Sequence, residues 1–205
     1  YFKYMDTEIE AKFPNIDTEA FRYKLKSINA VLKYPERLMR RKNFDYADWR
    51  LEKIGGWIRV RDEGDIITMS YKQLNDRTLH GTKEISFNIE NFSKACDFLT
   101  SIGLQEKAYQ ETKREKWIYN NVEITIDTWP WIPTFVEFEG STEESIKSVT
   151  KILGLNWKNA MHGSVETIYQ MHYDFSESEI DHWKLIKFSL PPKWLLEKKK
   201  NPFQF

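Results

Sequence analysis

The sequence predicts an α+β fold: a closed, antiparallel, eight-stranded β-barrel with helices packed on its outside. Two observations carry that prediction. Six segments alternate with period two between apolar and polar residues, and their charged sets are sorted by sign from strand to strand. Three other segments repeat apolar residues at helical spacing behind recognisable start signals.

From the amino end, Thr7 to Phe13 sets Glu8, Glu10 and Lys12 on one face of a strand. Asp17 then offers a side-chain N-cap, and Phe21, Leu25 and Ile28 recur at the spacing of a buried helical stripe. Gly56 to Asp62 places Trp57, Arg59 and Arg61 on one side, with Ile58 and Val60 opposite. In Ile67 to Gln73 the polar set is Thr68, Ser70 and Lys72; in Lys83 to Ile89 it is Glu84, Ser86 and Asn88, against Ile85, Phe87 and Ile89. A second helix opens near Asn91 or Ser93, gathers Phe92, Ala95, Cys96, Leu99 and Ile102 on one side, and stops at Gly103. Glu123, Thr125 and Asp127 then oppose Ile124 and Ile126, and Glu137 and Glu139 oppose Val136 and Phe138. The third helix starts at Ser141 to Glu144, a capping-box spacing, and carries Ile146, Val149 and Leu153 before Gly154.

For any one of these strands a polar face turned to water is the ordinary explanation. Solvated faces carry mixed charges, however, whereas one strand here offers Glu-x-Glu-x-Lys, another Arg-x-Arg and a late one Glu-x-Glu. Closing such strands into a barrel turns the charged faces inward, where they must pair with one another or hold a ligand. Net charge is zero, with 31 Lys or Arg against 31 Asp or Glu. That balance removes the broad basic footprint of a protein that coats nucleic acid or an anionic membrane, so neither partner is expected. It also hides a segregation: Arg22 to Arg61 has 12 basic and 4 acidic residues, while Ile118 to Ile146 has six carboxylates and no Lys or Arg. The single cysteine, Cys96, lies on a helical stripe and reads as core. With no disulfide to form, no apolar run near about 18 residues and no signal-peptide layout at Tyr1 to Glu10, the expected location is the cytoplasm.

Carboxylates two apart on one strand face project side by side, and two such pairs, Glu8 with Glu10 and Glu137 with Glu139, make an oxygen-rich site suited to Mg²⁺ or Mn²⁺. Arginine forks and lysine point charges on the other strands suit phosphate oxygens, so the implied ligand is a metal-bound polyphosphate. Other chemistries fit less well. Gly55-Gly56 reads as a turn and not as a phosphate-cradling loop. His80, His162, His172 and His182 lack metal-ligand spacing, and Ser164 has no nucleophile-elbow context.

These residues resemble the CYTH superfamily of triphosphate tunnel metalloenzymes, which includes class IV adenylate cyclases and thiamine triphosphatases. Glu8-Ile-Glu10-Ala-Lys12 is similar to its ExExK signature, Trp57-Ile-Arg59-Val-Arg61 to its paired-arginine strand, and Ser70-Tyr-Lys72 to its lysine strand. Glu84, Arg114, Asp127 and Phe135-Val-Glu137-Phe-Glu139 follow in the family's order, the whole running from about Thr7 to Tyr173. The resemblance implies a tunnel domain over residues 1–174 and a C-terminal extension over 175–205. It further implies that Glu8, Glu10, Glu137, Glu139 and Asp127 serve the metal, and that Lys12, Arg59, Arg61, Lys72, Glu84, Arg114 and Asp127 serve the substrate. Glu8, Glu10, Lys12 and Glu139 would be catalytic, and Arg41 joins the phosphate grip if it is the inward member of Arg40-Arg41-Lys42. One departure stands out, since Thr112 occupies the place of an inward lysine. The expected activity is conversion of ATP to cyclic AMP and pyrophosphate. Hydrolysis of tripolyphosphate, thiamine triphosphate or a nucleoside triphosphate is the alternative, and binding without turnover a further one. The partner is a small triphosphate, and the chain is expected as a monomer or homodimer.

Overall fold

The computed structural model describes residues 5–176, 179–180 and 182–200. The first four residues of the expected tunnel domain, and residues 177, 178, 181 and 201–205 of the expected extension, lie outside the described residues. Strands β1 (Asp6–Glu8), β2 (Glu10–Phe13), β3 (Val31–Tyr46), β4 (Gly56–Asp62), β5 (Ile67–Leu74), β6 (Thr82–Ile89), β7 (Leu104–Tyr119), β8 (Val122–Thr128) and β9 (Phe135–Glu139) form one antiparallel sheet. Its order is β1-β6-β5-β4-β3-β7-β8-β9-β2. The two ends of that order are successive pieces of one segment, and this nearly closes the barrel. Asp6–Glu8 pairs with β6, and Glu10–Phe13 pairs with β9. Strands in a barrel are tilted and staggered, so the closing strand meets one neighbour with its first half and the other with its second. The single strand expected over Thr7 to Phe13 is therefore broken at Ile9, and nine strands appear with one seam unsealed between the halves. Along that seam the backbones of Lys12 and Met161 exchange two hydrogen bonds of 2.9 Å, and the Glu10 carbonyl lies 3.2 Å from His162 Nδ1.

Two strands are additions to the sequence reading. β3 and β7 are 16 residues each and pair along most of their length, from Val31 opposite Ile118 to Tyr46 opposite Leu104. Their pattern is blurred because the register shifts at three places along the pair, one of them flanking Pro35.

The outward faces are apolar and carry the helices. In α1 (Thr18–Ser27) the Asp17 carboxylate caps the Ala20 N–H at 3.0 Å, and in α2 (Phe92–Ser101) Asn91 caps Lys94 at 2.9 Å. In α3 (Glu143–Ile152) the cap is Thr142, accepting from Ser145 N–H at 3.1 Å, one residue beyond the Ser141 start that the capping-box spacing suggested. Phe21 and Leu25 of α1 and Ile146, Val149 and Leu153 of α3 bury against Phe13, Ile124, Val136 and Phe138 of the barrel. Cys96 and Leu99 of α2 bury against Phe44, Val60 and Leu104. No helix among the described residues is long and apolar enough to cross a membrane.

A third apolar cluster joins α4 (Glu166–His172) to the chain beyond it. Trp183 packs edge to face on Tyr169, Phe175 and Trp194, with centroids 5.5, 4.7 and 4.9 Å away. Trp131 Nε1 donates to the Ser189 carbonyl at 2.9 Å, Tyr109 N–H donates to the Lys184 carbonyl at 2.9 Å, and the short strand β10 (Leu185–Ile186) runs parallel to β7. The His182 ring reaches Trp49 in the β3–β4 connection, 5.0 Å between centroids. These residues thus strap the α4 side of the barrel to its β3–β4 side.

Phe138 is fully buried and meets Phe13 and Phe21 edge to face at 5.6 and 6.4 Å. Phe138→Ala is expected to lower unfolding stability by about 3–5 kcal/mol, through lost transfer energy and the cavity left behind. Urea denaturation checks this, and a loss below about 1 kcal/mol would mean that α1 and α3 are not anchored on β9 as described.

Candidate active site in the barrel lumen

Alternation along the strands turns every second residue inward, and the inward set encloses a cavity of about 560 Å³. Register decides which side chains meet. Glu123, Glu139 and Glu10 stand in one row across β8, β9 and β2, and Lys116, Thr125, Glu137 and Lys12 stand in the next. On the β3–β6 wall Asn43, Arg59, Ser70 and Ser86 share a row, and Arg41 stands beside Arg61.

Most of these charges neutralise one another. Lys12 Nζ lies 2.7 Å from Glu10 and 3.1 Å from Glu137. Lys72 lies 2.8 Å from Glu8 and 3.2 Å from Glu84, which Arg59 also reaches at 3.0 Å. Arg114 grips Asp127 with two nitrogens, at 2.6 and 2.9 Å, and reaches Glu137 at 3.2 Å. Burial disfavours the charge of Lys12, yet Glu10 and Glu137 outweigh it and hold its pKa above the usual range. Burial likewise opposes the Glu137 charge, and Lys12 and Arg114 nevertheless hold that carboxyl well below the usual range.

Two places lack such compensation. Arg41 is 7% exposed, and its guanidinium has no carboxylate partner among the described residues. It donates to Thr112 Oγ1 at 2.7 Å and stacks 4.7 Å from the Trp129 ring. Burial and the neighbouring Arg59, Arg61 and Arg114 all disfavour its charge. Arg41, Arg59 and Arg61 also each keep a buried Nε without a hydrogen-bond partner. Glu139 is the converse case. It joins none of the ion pairs above, and burial together with Glu123, Glu137 and Glu10 pushes it up to about 7. Glu8, buried beside Glu84 and Glu10, is pushed up to about 8 against the pull of Lys72. The lumen therefore has one sector short of anions and another short of cations.

Glu8, Glu10, Lys12, Arg41, Arg59, Arg61, Lys72, Glu84, Arg114, Glu137 and Glu139 all line this cavity. Of the run Arg40-Arg41-Lys42, Arg41 is the member on its wall. Asp127 stands behind Arg114 instead, 1% exposed, with one oxygen also taking the Thr125 hydroxyl at 2.6 Å. In this position it holds Arg114. Glu123, on the polar face expected of its strand though not among the expected site residues, also lines the lumen, as do Lys116 and Glu63, which the sequence reading does not single out. Lys116 continues the parity of Thr112 and Arg114 along β7, and Glu63 continues that of Arg59 and Arg61 past the end of β4. The Thr112 departure acquires a structural account, because its hydroxyl receives Arg41 from β3 where a lysine on β7 was expected.

The carboxylates have the hard-oxygen chemistry that a divalent cation such as Mg²⁺ or Mn²⁺ takes, and Glu139, which joins no ion pair among the described residues, shares a row with Glu10 and Glu123, which pair with Lys12 and Lys116. As placed, Glu8, Glu10 and Glu137 are turned toward lysines and arginines. No three acidic, His or Cys side chains among the described residues converge on one point. The donor set thus fits such an ion in composition.

A family model described as the CYTH domain matches residues 6–175. Among solved structures, a conserved hypothetical protein from Pyrococcus furiosus is 22% identical with a TM-score of 0.64, covering 79% of this chain and 99% of that one. A candidate adenylate cyclase from Vibrio parahaemolyticus is 18% identical with a TM-score of 0.70, covering 80% and 98%. A candidate adenylyl cyclase from Hippeastrum, described as having a dominant triphosphatase activity, is 13% identical with a TM-score of 0.57, covering 82% and 96%. Among curated proteins nothing matches the chain.

Asp127→Ala removes the two-point partner of a buried arginine. It is expected to cost about 3–5 kcal/mol of stability, because the charge left behind stays buried. Chemical denaturation checks this, and an unchanged midpoint would show that Arg114 does not depend on Asp127.

Proposed function

Because the chain belongs to the CYTH domain family, we propose that it is a divalent-metal-dependent enzyme acting on a nucleoside or organic triphosphate. One observation carries the reading. Arg41 is buried without a carboxylate partner, beside Arg59 and Arg61, in a lumen whose other cations are paired. A buried cation left uncompensated is costly, and an anionic ligand with several phosphates is the partner that would satisfy all three guanidinium groups together.

In this reading Arg41, Arg59, Arg61, Lys72 and Arg114 bind the phosphates, with Asp127 and Thr125 fixing the fork of Arg114. Lys12, set between Glu10 and Glu137, keeps two carboxylates of the acidic sector in place. Glu8, Glu10, Glu137 and Glu139 are the residues that would hold Mg²⁺ or Mn²⁺, whose contribution is to neutralise phosphate charge and polarise a phosphoryl oxygen. Low-dielectric surroundings make every such contact stronger than it would be in water, which favours phosphoryl chemistry driven by positioning and charge.

The finer proposal is a cyclase-like reaction, ATP to cyclic AMP and pyrophosphate, in which a sugar hydroxyl held near the α-phosphorus is the nucleophile. The triphosphatase alternative, water near the γ-phosphorus, is favoured by the activity described for the Hippeastrum fold relative. We place the site in the cytoplasm.

A product assay with ATP, tripolyphosphate and thiamine triphosphate, each with Mg²⁺ or Mn²⁺, separates these readings. Cyclic AMP with pyrophosphate establishes the cyclase, orthophosphate establishes the triphosphatase, and metal-dependent binding without product establishes a sensor. Glu10→Ala is expected to abolish turnover; metal-dependent activity surviving it would overturn the carboxylate assignment. Arg41→Met is expected to weaken tripolyphosphate binding about 10- to 100-fold, the worth of one or two charge-assisted hydrogen bonds. His80→Ala, at an exposed position outside the cavity, should leave binding unchanged, and equal losses in the two variants would sink the phosphate-grip assignment.

A further inference from the structure

Glu63 is an acidic lumen residue that lies beyond the barrel strands, in the turn between β4 and β5, and from there it grips the lumen-lining Arg61 together with Arg37. Its two oxygens are divided between Arg61, at 2.5 Å, and Arg37, at 2.6 Å. Arg37 is itself fixed from behind: its guanidinium stacks 4.0 Å from the Tyr34 ring and also pairs with Asp65. Glu63 is 7% exposed and lines the same cavity as Arg41, Arg59 and Arg61. Burial opposes its charge, but Arg61, Arg37, Arg114 and Lys116 hold its carboxyl below the usual range, so it stays an anion.

Glu8, Glu10, Glu84, Glu123, Asp127 and Glu137, which also partner lumen cations, sit on strands whose backbone is locked by ladders on both sides or at the closing seam, and Glu52, off the strands, pairs with Lys107 and not with a lumen arginine. Glu63 sits at the edge of a hairpin closed by its own N–H donating to the Ile66 carbonyl at 2.9 Å, with Gly64 next to it in a left-handed conformation at φ 95°. A turn yields more readily than a paired strand. Arg61 stands beside Arg41, the uncompensated cation, so a phosphate that settles on Arg41 arrives next to the guanidinium that Glu63 already holds.

We propose that Glu63 is a built-in competing anion. It occupies Arg61, and an incoming phosphate must displace it, so that Glu63 sets how strongly anionic a ligand has to be. The inference rests on the reading of the lumen as a polyphosphate site and adds to it a residue that determines affinity by opposing the ligand. Like charges crowded on one guanidinium cannot both keep it, and the more highly charged oligophosphate wins where a shorter one does not.

The test is calorimetric titration of the full chain with tripolyphosphate and with pyrophosphate, at fixed salt, for the wild type, Glu63→Gln and Glu63→Asp. Glu63→Gln removes the competing charge at nearly constant volume, and Glu63→Asp keeps the charge but retracts it by one methylene. Should the loss of a buried carboxylate prevent Glu63→Gln from folding, the aspartate variant still reports. Both variants are expected to tighten binding, Glu63→Gln about tenfold or more and Glu63→Asp less, with the gain larger for pyrophosphate, so that selectivity for the longer ligand falls. Weaker or unchanged binding in both variants would overturn the proposal, the first outcome making Glu63 a residue that orients Arg61. If the wild type binds tripolyphosphate and the variants behave in that way, the inference fails alone. If neither the wild type nor any variant binds either anion, the polyphosphate reading fails and takes the inference with it. Binding that appears only in the variants would support the inference directly.

Discussion

Charge enclosed by a barrel has to be neutralised where it stands, because water cannot reach it in bulk and the surrounding medium screens poorly. Much of this molecule follows from that constraint. Lysines and arginines alternate with carboxylates around the lumen in chains, Glu10 to Lys12 to Glu137 to Arg114 to Asp127 on one wall and Glu8 to Lys72 to Glu84 to Arg59 on the other. Each inner member of such a chain, Lys12, Glu137, Arg114, Lys72 and Glu84, is fixed by two neighbours, so the site is held before anything binds. Where a chain stops short, at Arg41 and at Glu139, the imbalance marks what a ligand has to bring. The apolar residues of the same strands face outward, and the three capped helices are consequences of covering them.

Much of this was legible in the sequence because strand parity is a strict rule. Arg59, Arg61, Lys72, Glu84, Glu137 and Glu139 are read from alternation alone, since each lies on a short strand with regular register. Arg41 could not be singled out from Arg40 and Lys42, because β3 changes register near Pro35 and again after Asn43, and parity cannot be carried across a bulge. Lys116 was hidden for a related reason: β7 carries charged residues on both faces around it, with Glu115 turned outward to Arg22 of α1. Glu63 lies one step past the end of its strand, where alternation stops being a guide, and only the fold returns its side chain to the lumen.

The residues beyond 175 lie past the CYTH match. Their aromatic cluster is continuous with α4 and with the loop around Trp131, and Ile180 contributes to the cavity wall beside Val165. Trp129 connects the two regions, packing with this cluster on one side and receiving the guanidinium of Arg41 on the other. A single tryptophan thereby couples the C-terminal strap to the cation that most needs a ligand.

The division of the first strand between β6 and β9 also governs the order in which the molecule can be assembled. Glu8 finds its neighbours some 75 residues along the chain and Glu10 finds Glu139 nearly 130 residues along, which are distant closures with a correspondingly slow search. The half that carries Glu8 can pair once β6 exists, whereas the half that carries Glu10 has no strand partner until β9 exists. Closure of the barrel therefore waits on β9, the strand that completes the row of Glu10, Glu139 and Glu123.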